Sequence, residues 1–153
     1  MKTLRGIILT VLLSGLFAQA QFEQPYQWSQ SVDGTQLTVE VAIPSSAYLY
    51  AEQTSVDLLP AAAVQAAPEA HAHTDDFGTA DIYEGGQTHR WVYSIGSETS
   101  YQIAIRYQGC GTPDGGSAVC YPPATKTFTI GLPEPAEKVP TLGKEVAAGS
   151  LDE

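Results

Sequence analysis

Strict alternation of apolar and polar residues is the feature of this sequence that most limits how the chain can fold. Every second residue is apolar between positions 36 and 43, and every second residue is apolar or aromatic between positions 100 and 108. The members of the two rows are Leu37, Val39, Val41 and Ile43, and Tyr101, Ile103, Ile105 and Tyr107. A period of two places such side chains on one face of an extended strand. Each segment therefore predicts a β-strand with one buried face.

Several shorter segments have the composition of strands, because they are rich in β-branched and aromatic residues. These segments are 88–95 and 125–130, with 47–50, 55–59 and 81–83 as weaker candidates. The alanine-rich stretch 61–67 would suit a helical turn, although it shows no amphipathic period. Many short strands separated by turn residues are typical of an all-β fold, and we expect an immunoglobulin-like antiparallel β-sandwich. Trp91, Tyr93 and Tyr101 are expected in its core or in cross-strand pairs.

The first twenty residues have the three-part layout of a secretory signal peptide. A basic head at 1–5 precedes an apolar run at 6–17 and then Ala18-Gln19-Ala20, which places small residues where the signal peptidase reads. The apolar run is shorter than the about 20 residues that span a bilayer. We therefore expect a signal peptide at 1–20 and export to a compartment in which disulfides persist.

The composition changes after Leu132. Segment 133–153 contains prolines and charged residues with little to bury, and it predicts a flexible acidic tail or linker that leaves 21–132 as the folded domain. The whole chain has 7 Lys and Arg against 17 Asp and Glu, a formal net charge of −10. Because recognition of phosphates needs basic patches, this balance excludes electrostatic binding to nucleic acids.

The two cysteines, Cys110 and Cys120, lie in a glycine-rich segment between the predicted strands 100–108 and 125–130. They would face each other across the mouth of a β-hairpin, close enough for a disulfide. A structural bridge is the usual reading in an exported protein and would contribute about 3 kcal/mol. The bridge closes a local loop, however, and Gly109 and Gly111 would leave the first sulfur little cover, as in redox-labile bonds. The spacing alone leaves both possibilities open.

Four segments of the chain resemble a known family. Tyr107-Gln108-Gly109-Cys110 and Cys120-Tyr121-Pro122-Pro123 resemble the two arms of the cysteine hairpin in the N-terminal periplasmic domain of DsbD, the thiol:disulfide interchange protein, also called the disulfide bond corrector domain. Tyr48-Leu49-Tyr50 resembles the tyrosine motif of that family. Segment 74–78, followed by Asp81-Ile82-Tyr83, resembles its acidic loop with a phenylalanine. The motifs keep the family's order, which makes the resemblance specific.

The resemblance implies an immunoglobulin-like fold with a redox hairpin at its edge, and a role for each matching residue. Cys110 and Cys120 would be the redox pair, and Cys120 would be the thiol that forms mixed disulfides with partners. Phe77 would be a cap that covers the disulfide until a partner docks. The remaining residues would line the site: Tyr48, Tyr50, Asp75, Asp76 and Tyr121.

The resemblance also implies an activity and a set of partners. The domain would act in the periplasm as a protein-disulfide reductase, or as the electron-relay domain of one, without a cofactor or metal. It would take electrons from a membrane-embedded donor and a thioredoxin-like domain. It would pass them, in transient complexes, to thioredoxin-fold proteins such as disulfide isomerases and cytochrome c maturation thioredoxins. The intercysteine loop is longer and richer in glycine than the family pattern, which would affect the partners that fit.

The sequence around the cysteines predicts a slow nucleophile. Neither cysteine has a Lys, Arg or His beside it, and Asp114 lies in the loop between them. Nearby carboxylates raise the pKa of a thiol. We therefore expect a thiol whose reactivity depends on docking and not on a low pKa.

The sequence admits two other interpretations. His71 and His73, with Asp75 and Asp76 nearby, are of types that bind transition metals, but the spacing places no third ligand and we predict no metal site. The alternative from another class is a secreted β-sandwich binding module whose disulfide only pins a hairpin. Such a structural bond would have a reduction potential below about −300 mV, whereas a relay bond would open reversibly without unfolding.

Overall fold

The computed structural model describes residues 23–132, and nearly all of the regular structure there is β-strand. The elements along these residues are twelve strands and two 3₁₀ turns, Ala51–Gln53 and Pro113–Gly115. The strands are β1 (Gln27–Asp33), β2 (Gln36–Ile43), β3 (Ala47–Tyr50), β4 (Ser55–Leu59), β5 (Ala63–Ala66), β6 (His71–Asp75), β7 (Gly78–Tyr83), β8 (Gln87–Ser94), β9 (Ser100–Tyr107), β10 (Gly109–Gly111), β11 (Val119–Cys120) and β12 (Ala124–Gly131). No helix in this range is long and apolar enough to cross a membrane. The predicted signal peptide at 1–20 and tail at 133–153 lie outside the described residues and stay predictions.

One layer of the fold is the antiparallel sheet β1-β2-β8-β5. The strand predicted at 36–43 is β2, and its apolar row is buried against the second layer. The neighbouring strand β8 places Trp91 opposite Val39 and Tyr93 opposite Leu37. The alternation in the sequence is therefore one face of the hydrophobic core.

In the second layer, three neighbouring extended segments of the chain are each broken into two strands, and the three breaks lie side by side. β3 and β4 are separated by the turn Ala51–Gln53, β9 and β10 by Gln108, and β11 and β12 by residues 121–123. We name β12-β9-β4, on one side of the break, the core half-sheet, and β11-β10-β3-β7-β6, on the other side, the cysteine half-sheet. The backbone N–H of Tyr50 donates to the carbonyl of Gln108 (2.9 Å), so strand pairing continues across the break.

The two layers enclose one hydrophobic core. Its fully buried aliphatic side chains include Leu37 and Val39 from the first layer and Ile103 and Ile105 from the core half-sheet. Burial of such a side chain contributes about 1.5–3 kcal/mol. Three aromatic residues predicted for the core are buried as well, which confirms that prediction: Trp91, Tyr93 and Tyr101. The architecture is the immunoglobulin-like antiparallel β-sandwich expected from the strand pattern.

The alanine-rich stretch 61–67 contains a strand and not the helical turn that its composition suggested. Residues Ala63–Ala66 form β5, which pairs with β8 at the edge of the first sheet, with a bulge between Val64 and Ala66. Backbone N–H and C=O groups on that side of β8 find their partners in β5. These hydrogen bonds outweigh the helix preference of a run too short to form a stable helix.

Candidate active site

Cys110 and Cys120 lie directly opposite each other on the paired strands β10 and β11, and a disulfide joins them. Their Cα atoms are 4.0 Å apart. The backbone N–H of Tyr121 donates to the carbonyl of Gly109 (2.9 Å), so the cysteines occupy the next, non-hydrogen-bonded position of the ladder. Opposite side chains are closest at that position. The predicted bridge across the mouth of a hairpin is therefore present.

The two cysteines differ in exposure. Cys110 is 1% exposed, because β10 lies between β3 and β11. Cys120 is exposed, because β11 is the edge strand of the cysteine half-sheet. One end of the disulfide is thus open to an attacking group, and the other end is held inside the protein.

Cys110 is buried although glycines flank it, and the expectation that Gly109 and Gly111 leave this sulfur open is wrong. A Cβ atom at Gly109 would overlap the carbonyl oxygen of Tyr48 and the hydroxyl of Tyr26. A Cβ atom at Gly111 would meet the backbone just before β3. The missing side chains therefore let β10 approach β3 closely, and this close approach excludes solvent from Cys110.

Two tyrosines of β3 lie beside the disulfide. Tyr48 pairs with Cys110 in the ladder, and the hydroxyl oxygen of Tyr50 is 3.1 Å from Sγ of Cys110. The two tyrosine rings meet edge to face, with their centres 5.5 Å apart. Residues 48 and 50 share one face of β3, while Ala47 and Leu49 face the core. Tyr50 is the polar group placed to exchange a hydrogen bond with the Cys110 sulfur.

Phe77 lies at the tip of the hairpin formed by β6 and β7. Asp76 and Phe77 are the two turn residues, and Gly78 follows with a φ of +128°, which only glycine adopts readily. Oδ1 of Asp75 accepts a hydrogen bond from the backbone N–H of Phe77 (2.8 Å). The hydroxyl of Tyr48 donates to Oδ2 of the same carboxylate. Asp75 thereby ties the tip of the hairpin to β3.

The hydrogen bond from Tyr48 to Asp75 involves a charged acceptor. Donation from Tyr48 lowers the pKa of Asp75, and the backbone N–H of Phe77 lowers it further. Burial raises the pKa of Tyr48, and the hydrogen bond to Asp75 raises it further. At neutral pH, Tyr48 is therefore protonated and Asp75 is ionised. Hydrogen bonds to an ionised partner are roughly twice as strong as neutral ones.

Phe77 and Cys110 line one cleft, which has a volume of about 380 Å³. Phe77 is 61% exposed. The walls include three more of the predicted site residues: Tyr48, Asp75 and Asp76. Tyr50 touches Cys110, and Cys120 is bonded to it. The structure therefore brings together every predicted site residue except Tyr121.

Tyr121 faces the core and does not line the cleft. Successive residues of an extended chain face opposite sides, so the residue after Cys120 turns inward. There Tyr121 is buried and meets the ring of Tyr26 edge to face at 5.8 Å. Tyr26 was missed by the sequence analysis, although its hydroxyl donates to the carbonyl of Tyr48 (2.9 Å). Tyr26 and Tyr48 are 22 residues apart in the sequence, and no local pattern marks their contact.

His73 belongs to the cluster around Tyr48, which the sequence analysis did not foresee. It lies two positions before Asp75 on β6, and its Nε2 is 3.9 Å from Oδ2 of Asp75. Its ring centre is 4.9 Å from that of Tyr48. Across residues 23–132, no three His, Cys, Asp or Glu side chains are grouped so that they could hold a metal ion. His73 lines the cleft and lies beside Asp75.

Comparison with protein families gives one extended match. The family model described as thiol:disulfide interchange protein DsbD, N-terminal, matches residues 17–132. Among curated proteins, the chain is similar to a thiol:disulfide interchange protein DsbD from Cronobacter sakazakii, with 29% identity over 148 residues. The match covers 86% of this chain and 25% of that protein, so the chain spans about a quarter of the relative's length.

Solved structures share the fold. The crystal structure of the Neisseria meningitidis DsbD N-terminal domain in the reduced form has a TM-score of 0.52 and 22% identity, covering 70% of this chain and 85% of that one. A chain from the complex between the DsbD and PilB N-terminal domains of Neisseria meningitidis has a TM-score of 0.54 and 20% identity, covering 73% and 87%. At these identities, the likeness is one of fold.

Proposed function

The chain belongs to the family of N-terminal domains of the thiol:disulfide interchange protein DsbD, and from this premise we propose that its Cys110–Cys120 disulfide opens and closes to relay electrons between proteins. The observation that carries the proposal is the unequal exposure of the two cysteines, with Cys110 1% exposed and Cys120 exposed. Disulfide exchange needs one sulfur that a visiting thiolate can reach and a second sulfur that leaves and later returns. A bond that only pinned the hairpin would not need this arrangement.

Reduction of the domain begins at the exposed sulfur. A thiolate of the electron donor attacks Sγ of Cys120 in line with the S–S bond; a donor–Cys120 bond forms, and the bond to Cys110 breaks. The electron pair goes to Sγ of Cys110, and the Tyr50 hydroxyl, 3.1 Å away, is placed to donate a hydrogen bond to this thiolate. The donor's second thiolate then attacks its own bonded sulfur and releases Cys120. The domain takes up two protons from water and becomes a dithiol.

Oxidation of the domain runs in the opposite direction with a partner that carries a disulfide. The thiolate of Cys120 attacks one partner sulfur, and the other partner sulfur leaves with the electron pair. Cys110 then attacks Sγ of Cys120, restores the intramolecular bond and releases the partner as a dithiol. Two electrons and two protons pass to the partner in each cycle. The chemistry is carried by the sulfurs alone, and we propose no cofactor.

We assign Phe77 the role of a cap over the disulfide. Its ring lines the same cleft as Cys110, and the hairpin tip is held by Asp75 and Tyr48 outside the hydrophobic core. A docking partner could therefore displace the tip while the sandwich stays intact. Between encounters, the ring would hinder small oxidants from reaching the reduced cysteines.

The partners and the location are also proposals. Family membership supports a periplasmic site of action, with electrons from a membrane-embedded donor and a thioredoxin-like domain. The complex of the Neisseria DsbD domain with a PilB N-terminal domain supports pairing with another protein. We propose periplasmic thioredoxin-fold proteins as acceptors, among them disulfide isomerases and cytochrome c maturation thioredoxins. The proposed chain organisation is a signal peptide at 1–20, the interchange domain at 21–132 and a tail or linker at 133–153.

Trapping of mixed disulfides tests the assignment of the two cysteines. In Cys110→Ser, Cys120 can still form a mixed disulfide, but no second thiol resolves it. We expect partner proteins from a periplasmic extract to accumulate as adducts on non-reducing gels, for identification by mass spectrometry. The matched control, Cys120→Ser, keeps only the buried cysteine and should trap far less. Equal trapping by the two variants would contradict the assignment.

Redox equilibrium separates the relay from the structural alternative. The protein is equilibrated with dithiothreitol at graded redox potentials, and folding is followed by tryptophan fluorescence. A relay bond is expected to open and close reversibly in the folded protein. A reduction potential below about −300 mV, or unfolding on reduction, would favour a binding module with a structural bridge.

A further inference from the structure

Phe77 lines two depressions of the protein surface that carboxylates border. One is the cleft that Cys110 lines, and the other is a second depression of about 280 Å³. Both are bordered by exposed carboxylates. We name these carboxylates the acidic rim: Asp76 and Glu84 at the cleft, and Glu52 and Asp81 at the second depression.

No lysine or arginine of residues 23–132 neutralises the acidic rim. This part of the chain contains three Lys and Arg residues, and none of them lines either depression, whereas His73 lines the cleft beside Asp75. The three are Arg90, Arg106 and Lys126. Arg90 forms an ion pair with Glu40 in the first sheet, and Arg106 lies 3.6 Å from Asp57 in the core half-sheet. The surface around Phe77 therefore presents carboxylates, an apolar ring and the imidazole of His73, without a lysine or arginine from residues 23–132.

Several charges of one sign around a reactive bond affect which molecules reach it. A single exposed charge has little effect, because salt screens it over about 10 Å at 0.1 M. Carboxylates that border the same two depressions add their potentials, and such fields change association rates by tenfold or more. Steering of this kind speeds arrival more than it slows release. An electron relay, which must part from its partner after each transfer, gains from that combination.

We propose that the surface formed by Phe77 and the acidic rim is a docking site for redox proteins that carry positive charge around their reactive cysteine. This inference rests on the proposed function, because it concerns the partners of the same disulfide. The occupant is a protein with a basic face, since the site offers the carboxylates of the acidic rim and an exposed apolar ring. A partner with an acidic face around its cysteine is repelled before its sulfur reaches Cys120.

Small thiols of different charge test the field at the disulfide. Cysteamine, 2-mercaptoethanol and 2-mercaptoethanesulfonate attack as zwitterionic, singly anionic and doubly anionic thiolates. Their rates of reducing the oxidised protein are measured per thiolate and divided by their rates with a neutral reference disulfide. We expect these relative rates to fall in the order given, over a range of about tenfold at low ionic strength. At 1 M salt, where the Debye length is about 3 Å, the range should shrink to about twofold or less.

Matched variants locate the source of the effect. Asp81→Asn with Glu84→Gln removes one charge of the acidic rim at each depression. Asp33→Asn with Glu98→Gln also removes two exposed charges, at the opposite end of the sandwich, where β1 ends and β9 is about to begin. The first pair should narrow the range of rates to about threefold, and the second pair should leave it unchanged.

The outcomes separate this inference from the function on which it rests. If the range of relative rates did not change with salt, or changed equally with both pairs of substitutions, the docking proposal would be overturned and the relay would stand. Failure of all three thiols to reduce the disulfide of the folded protein would overturn the relay itself, and the docking proposal with it.

Discussion

Three segments of the chain run through both the core half-sheet and the cysteine half-sheet, yet different interactions stabilise the two half-sheets. In the core half-sheet, β9 and β12 are each eight residues long, and every second residue of β9 is buried. In the cysteine half-sheet, β10 has three residues and β11 has two. Leu49 of β3 packs in the core, but β10 and β11 are held by the disulfide, by the hydroxyl of Tyr50 and by the close approach of strands at glycines.

This difference would let one small domain break a covalent bond without losing its fold. Apolar burial in the core half-sheet is spread over many side chains and does not depend on the disulfide. The strands next to the disulfide, β10 and β11, are only three and two residues long, and their hydrogen bonds can re-form after the bond opens. We therefore expect the free energy of unfolding to depend mainly on the core, and the redox equilibrium mainly on the cysteine half-sheet.

Ile103→Ala is the strongest test of this separation. Ile103 is fully buried on β9, and its truncation should lower the free energy of unfolding by about 2–5 kcal/mol. The equilibrium constant of the disulfide with dithiothreitol should change by less than about twofold, since no contact of the cysteines is removed. Urea unfolding and redox titration measure the two quantities.

Gln102→Ala, on the exposed face of the same strand, serves as the control for Ile103→Ala. Its effect on the free energy of unfolding should stay within about 0.5 kcal/mol. If Ile103→Ala shifted the redox equilibrium as strongly as it shifted stability, the two half-sheets would have to be treated as one unit.

Gly109→Ala should disturb the cysteine half-sheet specifically. The added Cβ would overlap the carbonyl of Tyr48 and the hydroxyl of Tyr26, so β10 must move away from β3. We expect a loss of about 1–3 kcal/mol in unfolding free energy, as in other overpacked sites. We also expect a severalfold change in the redox equilibrium constant, because Cys110 is the next residue along the strand.

Gly131→Ala provides the matched glycine control. A Cβ there meets nothing within 4 Å, and the residue lies at the end of β12 in the core half-sheet. Both stability and redox equilibrium should remain close to those of the unaltered protein. If Gly109→Ala left the redox equilibrium constant unchanged, the close approach of β10 to β3 would have no role in setting the properties of the disulfide.

The strands of the core could be predicted closely because the alternation of apolar and polar residues lies within each strand. In β2 and β9, every second residue is buried, so position within the row decides which side chains face inward. β10 and β11 are too short to show a period, and β6 consists largely of polar residues. Their extended conformation comes from hydrogen bonds to neighbouring strands, which no local pattern reveals.

The residues of the candidate site could be predicted better than their geometry. The motifs that resemble a known family pointed to Phe77, Asp75 and Tyr48, and the structure places them in one cleft with Cys110. The burial of Cys110 could not be read from the sequence, since it depends on how closely two strands approach. The hydrogen bond from Tyr26 to the carbonyl of Tyr48 could not be read from the sequence either, because Tyr26 lies in a distant part of the chain.

Tyr48→Phe should have a smaller effect on stability than Gly109→Ala, and that effect should depend on pH. The change removes the hydroxyl that donates to Asp75, so the lowered pKa of Asp75 should rise toward its ordinary value. A lowered folded-state pKa contributes stability that is complete above the pKa of the unfolded chain and is lost as pH falls through the folded-state pKa. The stability difference between the two proteins should therefore be largest at neutral pH and shrink in acid.

Carboxyl resonances in NMR titrations and urea unfolding at a series of pH values check the prediction for Tyr48→Phe. Thr74→Ala, on the same hairpin but exposed, is the control and should leave the pKa of Asp75 in place. A stability difference that did not vary with pH would mean that the tyrosine hydroxyl contributes through packing and not through the ionised carboxylate.

Phe77→Ala should have the smallest effect on stability and still change the chemistry. Because Phe77 is 61% exposed, loss of its ring should change the free energy of unfolding by no more than about 0.5 kcal/mol. If the ring covers the reduced cysteines, its removal should speed their oxidation by a small oxidant about threefold or more, measured by stopped-flow tryptophan fluorescence. Val64→Ala truncates an equally exposed side chain on β5, in the other layer, and should change neither quantity. Equal oxidation rates for Phe77→Ala and the unaltered protein would restrict Phe77 to partner docking, and protection of the reduced state would then have to come from the burial of Cys110.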